Sequence, residues 1–323
     1  MYHGSVQGTY SEMGKSRGGS LYDVGFRLPG QDEASVKFGL ECEAEISRVF
    51  PRIREEFLGF ADGCHARYED VLAFMAAIGV RPPSPACSLF AAAGSQGTVF
   101  GRNYDFYYKF ADYTEHFVLS PHGAFRSAGD SDVFIGREDG VNEAGLAVGI
   151  SSVGSKTVGP GLNFPLVVRH LLDDCRDVEA AVESALSIRF STTNNYLLAD
   201  SSGAIAVVEA SPERVEVRRP QRNSGFLVAT NHFVHPDMIQ MEDLTRRDSD
   251  SVQRFEAIAR GVASTEGGIS AERAEAILSD HRGRVCSHHE DIKLGTLWSM
   301  VANLTERKLF LAEGHPCDSK YSE

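Results

Sequence analysis

The chain has 323 residues, 42% of them hydrophobic, enough for a sizeable core in one large domain or two closely packed ones. A formal charge of −13, spread along the chain, weighs against a nucleic-acid backbone or an anionic membrane surface as partner, because both repel it at long range. The first residues lack a basic n-region and an apolar h-region, and no apolar run approaches the roughly 18 residues needed to span a bilayer, so the default location is cytoplasmic.

From Gln31 to Ala77 the apolar residues recur at helical spacing: Val36, Phe38 and Leu40, then Ile46, Val49 and Phe50, and beyond Pro51 Ile53, Phe57 and Phe60. This predicts a helical N-terminal region ending at VRPPSPA, where three prolines exclude helix and sheet pairing. After it the period changes. CSLFAAA, GTVFGR, EHFVLSP, DVFIGRE and GLAVGISSV are short β-branched or aromatic runs separated by glycine turns, as in an antiparallel sheet.

Two helices are predicted next, FPLVVRHLLDDC with a proline in its first turn and DVEAAVESALSI with Asp177 as cap. NYLLAD and AIAVVEA read as a hairpin around SSG, followed by strands at RVEVRR and GFLVATN. SVQRFEAIARGV and SAERAEAILSDH read as helices, and LWSMVANLTERKLFLAEG as a closing hairpin. Strands interleaved with paired helices suggest a layered α+β sandwich.

Six cysteines, Cys42, Cys64, Cys87, Cys175, Cys286 and Cys317, are scattered without a CxxC pair, so neither a disulfide framework nor a zinc knuckle is indicated. VCSHHED gathers Cys286, His288, His289 and Glu290, but no second cluster with matching spacing accompanies it, and no metal or other cofactor is called for.

Cys87 opens a strand directly after the proline stretch and is either a buried structural thiol or the reactive centre. A nucleophilic cysteine needs positive charge nearby and a base within reach. Arg102 lies one hairpin away, with Asp105 just beyond, although a surface ion pair would read the same way. No histidine is close enough in sequence to mark a Cys–His dyad. Scission of the Ala86–Cys87 bond would supply a base of another kind, because a free α-amino group has a pKa of roughly 7.7–8 and lies next to its own sulfur. The thiol can attack the preceding carbonyl itself, and Ala86 is small enough to leave that carbonyl open.

CSLFAAAG followed by GRNYDF resembles the N-terminal nucleophile (Ntn) hydrolases of the linear-amide group. The nearer likeness is to the acyl-coenzyme A:6-aminopenicillanate acyltransferase-like branch, and the choloylglycine hydrolases, which include penicillin V amidases, are more distant. GTYSEMGKSRGG, GVNEAGLAVGISSVG, NNYLLADSSGAIAVVEASP, ATNHF, LSDHRGRVCSHHED, GTLWSMVANL and GHPC carry the resemblance over nearly the whole chain.

The resemblance implies a four-layer αββα sandwich of two antiparallel sheets over residues 87–323, with residues 1–86 as a helical pro-segment packed on it. It implies Cys87 as nucleophile with its own freed amine as base, and Arg102 and Asp105 holding the thiol and amine. Asn231 matches the asparagine that donates to the oxyanion, although by itself it reads as an asparagine satisfying a strand end, and Arg254 resembles a supporting arginine of the bile-salt branch, although a solvated helix arginine would read the same way. Where that branch has a second oxyanion asparagine in GLNF, this chain reads GISS, leaving Ser152 or a backbone N–H to serve. Bile-salt enzymes begin at their cysteine after loss of little more than a methionine, whereas 86 residues precede Cys87. Phe106, Tyr107 and Tyr108 are candidates for the wall of an acyl pocket, although aromatic residues are more often core.

The expected activity is hydrolysis of a small N-acyl amide through an acyl-enzyme. The alternatives are acyl transfer from a thioester or amide to an amine, a catalytically silent binding protein of the same fold, and a thiol redox sensor with Cys64 or Cys286 as the resolving thiol. The expected partner is a small-molecule amide or acyl thioester, with no nucleic acid and no membrane, and a homo-oligomer is compatible with the sequence.

Overall fold

The computed structural model describes residues 1–80, 86–221, 224–247, 250–265 and 267–323. The proline stretch expected to break secondary structure lies, at residues 81–85, outside them. The chain opens with β1 (Tyr2–Gly8), α1 (Tyr10–Asp23), α2 (Glu33–Val49), α3 (Ile53–Cys64) and α4 (Tyr68–Ala77). Strands β2 (Ala86–Gly94), β3 (Gly97–Tyr107), β4 (Glu115–Pro121), β5 (Ser127–Ser131), β6 (Asp139–Asn142) and β7 (Leu146–Ser152) follow. Helices α5 (Phe164–Asp174) and α6 (Val178–Ser187) lead to β8 (Asn194–Asp200), β9 (Ile205–Ala210), β10 (Val215–Arg218) and β11 (Phe226–Ala229). The chain closes with α7 (Pro236–Ile239), α8 (Ser251–Ala263), α9 (Ala271–Leu278), β12 (His288–His289), β13 (Leu294–Asn303) and β14 (Lys308–Glu313).

Two sheets stack face to face. One runs β1-β4-β5-β6-β7-β8-β9-β10, and the other β11-β2-β3-β13-β12 with β14 also on β13. Period-two alternation assigns each strand's side chains to two different cores. In β8, Leu197 and Ala199 face the other sheet with Leu89, Phe100, Val207 and Met300, whereas Tyr196 and Leu198 pack with the helices that include α5 and α6. In β2, Phe90 and Ala92 pack instead with Ile258, Ile277 and Leu278 of α8 and α9. The layers are therefore helix, sheet, sheet, helix, and both sheets are buried on both faces. This is why the central strands read as unbroken apolar runs.

The N-terminal region differs from its expected all-helical form. Tyr2–Gly8 is a strand paired in parallel with β4, at the edge of the larger sheet. The following helix α1 carries a full capping box between Thr9 and Glu12, but it has little apolar periodicity because glycines replace side chains where it meets α3. A Cβ on Gly14 would stand 2.0 Å from the Glu56 carbonyl oxygen, and one on Gly59 would stand 2.1 Å from that of Ser11. The two backbones are thus in direct contact, as in small-xxx-small helix pairs. The same region is tied to α5 by buried charge: Arg169 binds Glu56 Oε2 at 3.2 Å and Asp173 Oδ2 at 2.8 Å, and Tyr10 Oη donates to Asp173 at 2.7 Å. DVFIGRE also differs from expectation, forming a non-strand loop between β5 and β6 that carries charged side chains into the interior.

Candidate active site

The turn between β2 and β3 pairs Gly94 with Gly97, and the resulting register sets the positions of the candidate residues. Cys87 stands opposite Tyr104, and Leu89 opposite Arg102, so Arg102 is the diagonal neighbour of Cys87 on the face between the sheets. Its Nη2 lies 3.5 Å from Cys87 Sγ. Asp105 is opposite Ala86, on the other face of the pleat and beside the Ala86–Cys87 peptide bond. Thr296, its partner on β13, donates Oγ1–H to Asp105 Oδ1 at 2.6 Å.

Cys87 is fully buried. Burial pushes its thiol up to about 12, with Arg102 opposing the shift and Asp105 and Glu138 adding to it. The uncut chain thus holds a protonated sulfur. No histidine among the described residues hydrogen-bonds to it. His232, adjacent to Asn231, turns its Nδ1 to Ser251 Oγ at 2.7 Å, and burial lowers its pKa to about 4.

Asn231 follows β11 and meets the start of β2. Its Oδ1 accepts from Cys87 N–H at 3.0 Å and from Arg254 Nη2 at 2.7 Å, and its Nδ2 donates to the Ser152 carbonyl at 2.8 Å. Arg254 has only donors, so Oδ1 must face it, and this fixes the orientation of the amide. Arg254 itself is a buried residue of α8, not a solvated one, and its Nη1 also binds the Cys87 carbonyl at 2.6 Å and Ser88 Oγ at 2.8 Å. Ser152 ends β7 and presents its carbonyl to Asn231.

Of the aromatic candidates, Phe106 is buried beside Tyr104, with ring centroids 6.1 Å apart, and belongs to the core between the sheets. Tyr107 is half-buried against Phe106. Tyr108 turns away toward Glu290, 3.2 Å from its hydroxyl, and toward the His315 ring.

Besides Thr296, four participants were not singled out from sequence. Arg102 bonds Asp139 through Nη1 and lies 3.7 Å from Glu138, both buried. Burial and the neighbouring Asp132 push Glu138 well above the usual carboxylate range, against the pull of Arg102. Trp298, the sole tryptophan, donates Nε1–H to Asp139 Oδ2 at 3.0 Å and stacks on Tyr104 at 3.9 Å. Asn195 binds the carbonyls of Thr230 and His232 at 2.8 and 3.1 Å and so holds the backbone on either side of Asn231. The available signals were three consecutive charges in GREDG and a polar pair opening the apolar run NNYLLAD.

Chemically, the arrangement brings a thiol, a guanidinium, a carboxylate and a fixed amide around one peptide bond. A sequence model of the family described as acyl-coenzyme A:6-aminopenicillanic acid acyl-transferase matches residues 92–318, more than half of the chain. No curated protein matches significantly. Among solved structures, penicillin V acylase from Agrobacterium tumefaciens is 21% identical with a TM-score of 0.51, over 70% of this chain and 83% of its own. The Caenorhabditis elegans ortholog of N-acylethanolamine-hydrolyzing acid amidase is 16% identical with a TM-score of 0.51, over 68% and 93%. A mutant conjugated bile acid hydrolase from Clostridium perfringens is 15% identical with a TM-score of 0.53, over 74% and 96%. At these identities the structural likeness speaks for the shared Ntn-hydrolase fold.

Proposed function

Since the chain belongs to the acyl-coenzyme A:6-aminopenicillanic acid acyl-transferase family, and is thus an enzyme of the amidohydrolase and acyltransferase kind, we propose that it cleaves a linear, non-peptide amide of a small N-acyl substrate through Cys87, after cutting its own Ala86–Cys87 bond. The observation that carries this reading is the convergence of Arg102, Asp105, Asn231 and Arg254 on both sides of that one bond.

Self-cleavage begins when Cys87 Sγ attacks the Ala86 carbonyl carbon. The Cys87 nitrogen takes a proton and leaves as an amine, so a thioester replaces the amide. Water then hydrolyses the thioester, restoring the thiol and giving residue 86 a carboxylate. In the mature site the α-amine, with a pKa of roughly 7.7–8, accepts the thiol proton as sulfur attacks the substrate carbonyl. Asn231 Nδ2 donates to the oxyanion, Arg254 aligns that amide, and Arg102 stabilises the thiolate. The amine passes the proton to the leaving nitrogen, and water releases the acyl group. The rate should therefore rise with pH as the amine deprotonates, levelling off above its pKa.

The family's description favours a second reading, in which an amine acceptor takes the acyl group in place of water. The two separate in one experiment. Protein is mixed with a panel of N-acyl amides and acyl thioesters, with and without small amine acceptors, and products and intact masses are followed. Free acid formed at a rate indifferent to the acceptor supports hydrolysis, and an acceptor-dependent amide supports transfer. Absence of any acyl adduct on the fragment beginning at Cys87 would reduce the chain to a binding protein of this fold.

Thr296→Val tests Asp105. A hydrogen bond to a charged group contributes about 1.5–3 kcal/mol, so its loss should slow self-cleavage roughly 10- to 100-fold. Circular dichroism should show the fold retained, because valine has the same shape, with a lower melting temperature from the buried Ser287 N–H that loses its acceptor. Cleavage at the wild-type rate would show that the Thr296 bond is not needed to position Asp105 for the reaction.

A further inference from the structure

LSDHRGRVCSHHED and GHPC are separated by 22 residues in sequence and supply none of the groups placed around Cys87, yet the fold brings them together. The ligand atoms of His281, Cys286, His288 and Cys317 all lie within 4.8 Å of one another. They come from three segments: the turn after α9, the edge strand β12, and the chain following β14. His288 Nε2 is 3.3 Å from Cys286 Sγ and 3.4 Å from Cys317 Sγ.

That nitrogen carries either one hydrogen or one lone pair, so it cannot make a good hydrogen bond to each sulfur at once. The spacing suits a shared centre instead. With zinc–sulfur bonds of about 2.3 Å and zinc–nitrogen bonds of about 2.0–2.1 Å, a sulfur and a nitrogen on a tetrahedral ion stand about 3.5 Å apart. The surroundings agree. His315 stacks on His288 with centroids 3.8 Å apart, Cys286 is buried, His288 and Cys317 are half-buried, and His281 closes the cluster from its exposed side. The other cluster of this kind among the described residues, Glu216, His235 and Asp237, has two half-buried members and one exposed and lacks sulfur.

We propose that His281, Cys286, His288 and Cys317 bind one zinc ion in a closed Cys2His2 site. On binding, the two thiols release their protons to solvent as the two zinc–sulfur bonds form, and both imidazoles coordinate in neutral form. Four protein ligands leave no open position for substrate, so the ion is structural. It also buttresses the candidate active site. Ser287, between two ligands, donates its N–H to Thr296 Oγ1 at 3.1 Å, and Thr296 in turn donates to Asp105. The ion would thus clip β12, the turn after α9 and the C-terminal segment to the strand that sets Asp105.

The test is metal content, which is independent of any activity. Full-length protein purified under reductant from zinc-supplemented medium should carry about one zinc per chain by mass spectrometry, and a strong chelator should lower its melting temperature. Cys286→Ser and Cys317→Ser should each lose the metal. In case these variants fold poorly, chelator-treated wild type titrated with cobalt(II) should show tetrahedral d–d bands and a thiolate-to-cobalt charge-transfer band at one equivalent. Wild type purified without zinc and silent to cobalt would overturn the site. So would an intact-mass and peptide map showing Cys286 and Cys317 joined as a disulfide under reductant, which would make the cluster a redox pair.

Discussion

Cys87→Ala is expected to remain a single chain and to be inactive, while the wild type separates into residues 1–86 and 87–323. The expectation rests on there being one sulfur at the bond. Cys87 is wholly buried between the sheets, its N–H is bound to Asn231 and its carbonyl to Arg254, so the residue on the leaving-nitrogen side of the bond is held by both its backbone groups. Cutting is expected to be slow, because a thiol held near 12 is almost wholly protonated at neutral pH and Arg102 alone must favour the thiolate. The rate should therefore increase as pH rises. Intact-mass spectrometry over a time course reads both quantities. The two pieces should stay together after cleavage, because β1 pairs with β4 and Arg169 bridges α3 to α5 across the cut. Cleavage of the alanine variant at the same bond would assign the reaction to a contaminating protease.

Arg102→Leu should damage both stability and chemistry. Removing one partner of a buried ion pair typically costs about 3–5 kcal/mol, since the remaining charge has neither water nor a counter-ion. Here Asp139 would keep the Trp298 N–H and the Asp130 backbone N–H but lose the guanidinium. A fall in melting temperature of roughly 4–7 °C is expected by scanning calorimetry. Arg102→Lys should recover part of that loss, because it restores a charge without the planar fork that reaches Asp139 and Cys87 together. The same series should separate fold from function: the lysine variant, folded, should still cut itself more slowly than wild type. A leucine variant as stable as wild type would show that Glu138 and Asp139 do not depend on the guanidinium.

Local rules accounted for much of the main domain. The hairpins β8–β9 and β13–β14 and the helices α5, α6, α8 and α9 stand where apolar period and turn residues indicated, with Asp177 capping α6 through Ala180 N–H as its position suggested. The turn after Cys87 was equally legible, and with it the pairing of Cys87 and Arg102 on adjacent strands. The misreadings have definite causes. Helix α1 is polar and glycine-rich because its partner is a backbone, not a side-chain core, so it shows no apolar stripe. DVFIGRE has the composition of a strand, but it forms a loop whose Arg137 and Glu138 are buried, directly before Asp139 opens β6. Arg254 resembled any amphipathic-helix arginine, because sequence does not show which face of α8 meets Cys87 and Asn231.

Residue chemistry and short-range spacing were enough to single out Cys87, Arg102 and Asp105 and the layered α+β class, because turns, pleats and helical faces are properties of neighbouring residues, whereas Asn231 was marked only by the family resemblance of ATNHF. Long-range packing set the rest: Thr296 beneath Asp105, Glu138 and Asp139 behind Arg102, Asn195 beneath the Asn231 loop, and Cys317 brought to Cys286 and His288. Each of those contacts joins segments distant in the chain, and its geometry depends on how two sheets and their helices register against one another. No local pattern encodes that register.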